Sequence, residues 1–174
     1  NQYIEILETI DFTSDMTLGT AVDPIIFSGS LFGQHFVPAY LEFTDNPYNP
    51  MNVYITSAVL NGDDLEAGDE VGVFDGDVCV GVGIIESTVT IDNRLSISVS
   101  AQDNSEDGVN GYTIGNPVLF KFYDINEDFE VGSSSITSVL LSGIDTFDGG
   151  ESGFYSLTAE ANEYYTVDLE STGN

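Results

Sequence analysis

Basic residues are almost missing: Arg94 and Lys121 stand against thirty Asp and Glu, for a formal charge of −28. That imbalance removes the positive footprint that nucleic acid or an anionic membrane surface demands, so polyanionic partners are the first class excluded. Cysteine is reduced to Cys79, so no disulfide framework exists. Its place in the apolar run Val78 to Ile85 reads as a buried, inert thiol. One histidine and one cysteine cannot build the nitrogen and sulfur set of a transition-metal site. His35 lies in the apolar stretch Phe32 to Val37 with no serine or cysteine elbow near it, which leaves nucleophilic catalysis without a constellation and makes a packed or hydrogen-bonded histidine the expectation. No apolar run approaches the roughly 20 residues of a membrane helix, so no membrane insertion is expected. The chain opens on Asn1 without a starting Met or a basic-then-apolar leader, which reads as a processed secreted form.

What is present is a foldable amount of apolar surface. Nine Tyr, eleven Phe and 41% hydrophobic residues in 174 set this chain apart from acidic, aromatic-poor disordered sequences. The length suits one domain with one sizeable core. The carboxylates repel one another in a compact state and call for counterions, which bound Ca²⁺ or high external salt would supply.

Short strands between Gly, Asp and Asn turns recur along the whole chain, and no stretch carries a helical period. The expected class is all-β, an antiparallel β-sandwich or jelly-roll-like fold with essentially no helix. Residues 2–10, QYIEILETI, read as a β-strand with Ile4, Ile6 and Ile10 on one face. A polar break from Asp11 to Pro24 follows, so residues 1–12 form an N-terminal strand set off from a single sandwich domain over 13–174. Two or three strands are expected between Ile25 and Phe43, and a central strand over Met51 to Leu60, with Val53, Ile55, Ser57 and Val59 on one face. VGVFD and DVCVGVGIIES pair as a hairpin through Asp75-Gly76. Leu95, Ile97 and Val99 face inward, opposite Ser96, Ser98 and Ser100. PVLFKFYD and DINEDFEVG follow, then strands at 136–141, 154–159 and 164–169. Gly81 and Gly83, on the expected face of Cys79, mark a place where another backbone or a large ring packs closely over the strand.

Two loops have cation-ligand spacing. Asp124, Asn126 and Asp128, with Glu130 beyond, place oxygen side chains at alternate positions, as do Asp103, Ser105 and Asp107, followed by Gly108. Both lack the acid at the twelfth position, so neither is an EF-hand, but hard oxygen donors in a turning loop suit Ca²⁺. The Asp124 loop is the leading candidate. Asp63, Asp64, Asp69 and Asp75 form a second cluster, and Asp145, Asp148 and Glu151 a third. The plainer reading is solvated acidic loops, in a chain where nearly every loop holds an Asp. Paired carboxylates suited to glycoside hydrolysis arise by chance among thirty acids and discriminate nothing. Tyr40, Tyr48, Tyr112, Tyr155, Tyr164 and Tyr165 are candidates for a sugar-stacking platform, or else for sheet packing.

The run NPMNVYITSAVLNGDDLEAGDEVGVFDGDVCVGVG, Asn49 to Gly83, with NPVLFKFYD at Asn116 to Asp124, resembles a β-sandwich module of secreted and cell-surface bacterial proteins. Variants of GDEIGVFDG and CVG recur in such modules among marine and Bacteroidota-like bacteria. The resemblance implies an extracellular or cell-surface setting and leaves the biochemical role open, since similar modules occur in adhesins, surface layers and enzyme appendages. With it, the residues point to a non-enzymatic structural subunit of an extracellular filament or surface layer. Copies of the chain are its expected partners, Ca²⁺ its expected stabilising ion. Assembly would proceed by strand complementation, Ile4, Ile6 and Ile10 entering the face opened by Gly81 and Gly83 of a neighbour. Residues 2–10 as an edge strand of their own domain is the equal alternative. A carbohydrate-binding or adhesive module, with glycans as partners, is the second reading of function.

Overall fold

The computed structural model describes residues 34–44 and 46–160, and these form an all-β sandwich. Nine strands appear: β1 (Met51–Leu60), β2 (Asp63–Asp64), β3 (Glu70–Asp75), β4 (Val78–Ile84), β5 (Leu95–Val99), β6 (Leu119–Asp124), β7 (Phe129–Val131), β8 (Ile136–Gly143) and β9 (Ser152–Ala159). Helical backbone among the described residues is confined to 3-10 turns at Ala39–Glu42 and Ser133–Ser135. Ile4, Ile6, Ile10, the rest of the strand expected at 2–10, the runs at 25–33 and the strand expected at 164–169 lie outside the described residues.

The first sheet runs β2-β1-β9-β8, with β5 also paired to β1, and the second runs β4-β3-β6-β7. Every ladder is antiparallel except one, since β1 and β9 run parallel in the middle of the first sheet. A parallel pair needs a long crossover, and here the connection from Leu60 to Ser152 builds the whole second sheet on its way.

Two bulges decide which side chains face inward. In β1 the register with β9 slips between Ile55 and Ser57, leaving Thr56 extra; its hydroxyl donates to the Tyr155 carbonyl at 3.0 Å. Val53 and Ile55 therefore share the core face with Ala58, while Ser57 and Val59 leave the face that strict alternation assigns them. In β4 the slip falls opposite Val73 and Phe74, so that Cys79 pairs with Phe74 and Gly81 with Val73. Neighbouring residues of β3 point to opposite faces. Cys79 is thus turned away from the core, and Gly81 and Gly83 are turned into it, contrary to the shared face expected of them.

The core fills the space between Val53, Ile55, Tyr155 and Leu157 of the first sheet and Val71, Val73, Val80, Phe120 and Phe122 of the second. At the β4–β5 side the two sheets come unusually close. A Cβ on Gly81 would lie 2.7 Å from Val99 Cγ1 and 3.0 Å from the Ser98 carbonyl, and one on Gly83 would lie 2.9 Å from Ile97 Cγ1. Another strand does lie over these glycines, but it is β5 of the same chain. The hairpin turn also sits one residue later than its sequence signal. Gly76 and Asp77 are its central residues, and of the two only Gly76 has positive φ, at 59°, as a primed turn with glycine first requires. Ser100, expected outward, is buried; its hydroxyl accepts from Tyr48 N–H and donates to the Ala101 carbonyl.

Gly81→Val should force β5 outward and destabilise the protein by about 1–3 kcal/mol, as overpacking of a filled core does. Urea unfolding followed by tyrosine fluorescence checks it; an unchanged midpoint would mean that the close approach of β4 and β5 is not a packing constraint.

Candidate functional site

The extended chain 34–38 and the 3-10 turn after it lie over the outer face of the second sheet. Glu70, buried at the start of β3, accepts from the backbone N–H groups of His35 at 2.7 Å and Phe36 at 2.9 Å. The His35 ring stacks on Tyr123 at 3.8 Å, and its Nε2 meets Glu130 Oε2 at 2.9 Å. Lys121 Nζ donates to the other Glu130 oxygen at 2.8 Å and lies over the Phe74 ring. The Lys121 bond, with His35 adding to it, holds the Glu130 carboxyl below the usual range. Lys121–Glu130 is the only ion pair of a Lys or Arg among the described residues. Glu130 thus fastens residues 34–36 to the second sheet. Cys79 lies on this same outer face, where burial pushes its thiol up to about 11; at neutral pH it is protonated and unreactive.

The cation candidates separate. Asp124 Oδ1 accepts from the N–H groups of Asn126 and Glu127, turning the loop on itself. Asp128 Oδ1 accepts from the Tyr123 hydroxyl at 2.7 Å, on the side of the fastener. In the other loop, Asp103 Oδ1 accepts from both the N–H and the hydroxyl of Ser105, the hydroxyl being the main reason its carboxyl is held low. Asn110 fixes that loop from inside through Asp103 and Gln102, while Asp107 stays exposed. Asp145, Asp148 and Glu151 are exposed in the β8–β9 connection. Asp75, counted with the second cluster, accepts instead from Thr113 N–H and the Asn116 amide. Among the described residues no three His, Cys, Asp or Glu side chains stand as a ready-made metal group.

Sequence distance nevertheless hid one meeting. The turns after β1 and after β6 line a common cleft of about 550 Å³, bringing Asp63, Asp64, Glu66 and Asp69 together with Asp124, Asn126 and Glu127. Asp69 builds it. Buried to 2% exposure, its carboxylate accepts from Glu66 N–H at 2.7 Å and from Ile125 N–H at 3.1 Å, tying the two turns to each other. Asn126 closes the rim, its side-chain amide donating a hydrogen bond to Glu66 Oε2 at 3.3 Å.

The opposite in charge is the first sheet outside β2. Strands β1, β5, β8 and β9 hold no charged residue, in a chain with thirty acids. Its outer face presents Asn52, Ser96, Ser98, Ser152 and Ser156 around a stacked pair, Tyr54 and Phe154, whose centroids lie 4.6 Å apart beneath Arg94. It ends at β8, which pairs with β9 on one side and, among the described residues, with no strand on the other. Val139, Leu140 and Leu141 of β8 are 50%, 37% and 54% exposed. Of the tyrosines singled out by sequence, Tyr112 and Tyr155 are core residues that donate their hydroxyls to the carbonyls of Asn49 and Ile144. Tyr48 is exposed and Tyr40 half-buried, while Tyr164 and Tyr165 lie outside the described residues. Tyr54 and Phe154, the aromatic pair on the outer face, were not singled out. The signal for them was an aromatic at an outward position of two uncharged strands, but their adjacency depends on the parallel β1–β9 pair.

Comparison with protein-family models, with characterised proteins and with solved structures finds no match to the chain. The likeness of residues 49–83 and 116–124 to bacterial surface modules therefore rests on their sequence pattern.

Asp69→Ala leaves the N–H groups of Glu66 and Ile125 without their acceptor and should cost about 1–3 kcal/mol. Amide exchange should rise at 66 and 125 and stay unchanged at 35 and 36, which depend on Glu70; a uniform rise would show that Asp69 supports the whole fold rather than the cleft.

Proposed function

We propose that the chain is a non-enzymatic structural subunit of an extracellular filament or surface layer. Its copies join by β-strand complementation, and calcium steadies them. The observation that carries this reading is β8. Natural edge strands are blunted by charge, proline, shortness, a bulge or a covering segment. β8 is eight residues long, ITSVLLSG, without charge or proline, and only the bulge at Leu141 interrupts it. A strand laid along it would gain main-chain hydrogen bonds and cover the exposed Val139, Leu140 and Leu141. The acceptor is thus β8 rather than the face at Gly81 and Gly83, which β5 occupies.

Calcium enters through the cleft. Its polar side chains are rich in hard oxygen donors, the carboxylates of Asp63, Asp64, Glu66, Asp124 and Glu127, which fits a hard cation. Binding there would lower the repulsion that thirty acids impose on the folded state and on copies that meet.

A second reading, a carbohydrate-binding or adhesive module, is favoured by the outer face of the first sheet. Tyr54, Phe154 and Arg94 stand there among hydroxyls and amides with no acid on the neighbouring strands, a surface for a neutral glycan. Selective signals on a glycan array, lost in Tyr54→Ala, from protein that stays monomeric at high concentration would put this reading first.

Val139→Lys with Leu141→Lys should abolish assemblies seen by negative-stain microscopy and sedimentation. The control pair Val109→Lys and Ile114→Lys adds the same charge at exposed apolar sites elsewhere, 64% and 61% exposed, and should leave them intact. Assembly that survives the β8 pair would sink the reading.

For calcium, about 5 mM against a site of roughly 0.5 mM affinity, typical of extracellular modules, would stabilise by about 1.4 kcal/mol. That corresponds to a rise of about 3–5 °C in melting temperature. Asp63→Asn with Asp124→Asn should remove most of the rise. A rise that magnesium or sodium reproduces at equal ionic strength would mean screening rather than a site.

A further inference from the structure

We infer that the cavity lined by Tyr40, Phe43 and Tyr48 together with Asp103 and Glu106 binds a small organic cation, an alkylated ammonium of choline type. The cavity shares no residue with β8 or with the acidic cleft. The inference is therefore independent of how copies assemble and of calcium.

Three segments far apart in sequence build this cavity of about 240 Å³. The 3-10 turn Ala39–Glu42, packed beside β4, brings Tyr40, and Phe43 follows it. The approach to β1 brings Tyr48, whose N–H donates to the Ser100 hydroxyl and whose carbonyl accepts from Ala101 N–H, both at 2.9 Å. The loop after β5 brings Asp103 and Glu106. Buried Asn110 holds that loop, its Oδ1 accepting from Asp103 N–H at 2.7 Å, and Gln102 Nε2 donates across it to the Gly108 carbonyl at 2.9 Å. Phe43 packs the turn against the loop, since a Cβ on Gly108 would lie 3.5 Å from Phe43 Cζ. The walls are thus fixed by the fold itself, and little ordering is left for a ligand to impose.

The lining selects the chemistry of the ligand. Aromatic rings attract cations, and clusters of them recognise quaternary ammonium groups. Tyr48, 50% exposed, leaves its ring available. Asp103 gives one carboxylate oxygen, Oδ1, to Ser105, and the Glu106 carboxylate has no hydrogen-bond partner among the described residues. Neither Arg94 nor Lys121 lines the cavity; the first lies over Phe154 and the second on Glu130, so no Lys or Arg answers these acids. A concave site lined by charge of one sign concentrates the opposite ion, and in a chain of −28 that ion is a cation. A bare metal ion would leave the three rings unused, and a neutral sugar would leave the carboxylates uncompensated. A cation clothed in methyl groups meets both. The volume lies below the roughly 300–1,000 Å³ of drug-sized pockets, which suits an ammonium head with a short stem.

The test is an amide NMR titration of the full chain with choline chloride at constant ionic strength. Shifts are expected at the N–H groups of Tyr48, Ala101 and Asp103, with a dissociation constant on the order of 1 mM. Dimethylbutanol, the neutral isostere with carbon in place of nitrogen, should bind about tenfold more weakly. Tyr48→Leu should weaken choline about tenfold, and Glu106→Gln, a second variant at an exposed position, about threefold, each with an otherwise native spectrum. Equal binding of choline and dimethylbutanol would overturn the assignment of a cation. Shifts from methyl glucoside and none from choline would overturn it in favour of a sugar. Choline affinity unchanged in both variants would show that the ion binds elsewhere and overturn the site. Protein that sediments with phosphatidylcholine vesicles but does not respond to free choline would overturn the small-molecule ligand in favour of a lipid headgroup.

Discussion

With two basic side chains for thirty acids, most carboxylates in this chain cannot be ion-paired, and the fold depends on another partner for them, the backbone N–H. Glu70 holds the amides of His35 and Phe36, Asp69 those of Glu66 and Ile125, Asp75 that of Thr113, and Asp124 those of Asn126 and Glu127. A hydrogen bond to a charged acceptor contributes about 1.5–3 kcal/mol, more than a neutral one. Several of these bonds join segments far apart in sequence. Buried acids thereby become the fastenings of loops, and the deeply buried Asp69 and Glu70 are tolerated because amides surround their oxygens.

The same shortage of cations sorts the surface. Acids that find amides sit in turns and at strand ends, and the rest remain solvated in loops. Outside β2, the first sheet is left to Ser, Thr, Asn and apolar residues. Its neutrality is the converse of the acidic load elsewhere, and it is what makes β8 different from an ordinary edge. Repulsion over the rest of the surface keeps copies apart at low salt, so an unguarded strand can persist without indiscriminate aggregation.

Much of the fold was legible because strands announce themselves locally. β1, the β3–β4 hairpin, β5, β6, β8 and β9 all stand within a few residues of their sequence signals. The bulges were not legible. Nothing in YITSAV or DVCVG states that Thr56 or Val80 is extra, since a bulge is decided by the partner's register. That single uncertainty put Cys79 on the wrong face and Ser57 and Val59 in the wrong row. The glycines were read correctly as a close approach and assigned to the wrong visitor, because β5 arrives from a different sheet. The cation loops were harder to read for a related reason. Alternate spacing within a loop predicts where side chains point only if the loop turns smoothly, and Asp124 instead spends an oxygen on closing its own turn. The cleft that does gather acids draws on two turns some sixty residues apart, Glu66 and Asn126 at its rim, and no spacing rule reaches that far.

Strand order is the other quantity that local pattern cannot supply, and it decides function here. Residues 136–143 read as a strand from sequence, but a central strand with the same residues would bury Val139, Leu140 and Leu141 and offer nothing. It is the parallel insertion of β9 beside β1 that pushes β8 to the rim of the sheet. Placing β9 there commits four uncharged strands to one sheet and leaves its last strand, β8, without a second neighbour among the described residues. An edge so composed costs little in the isolated copy only while the carboxylates elsewhere hold other copies off. Conditions that screen them, salt or a bound divalent cation, therefore act on assembly through the whole surface and on the choice of contact through β8 alone. Ionic strength sets whether copies meet, and the uncharged edge sets where.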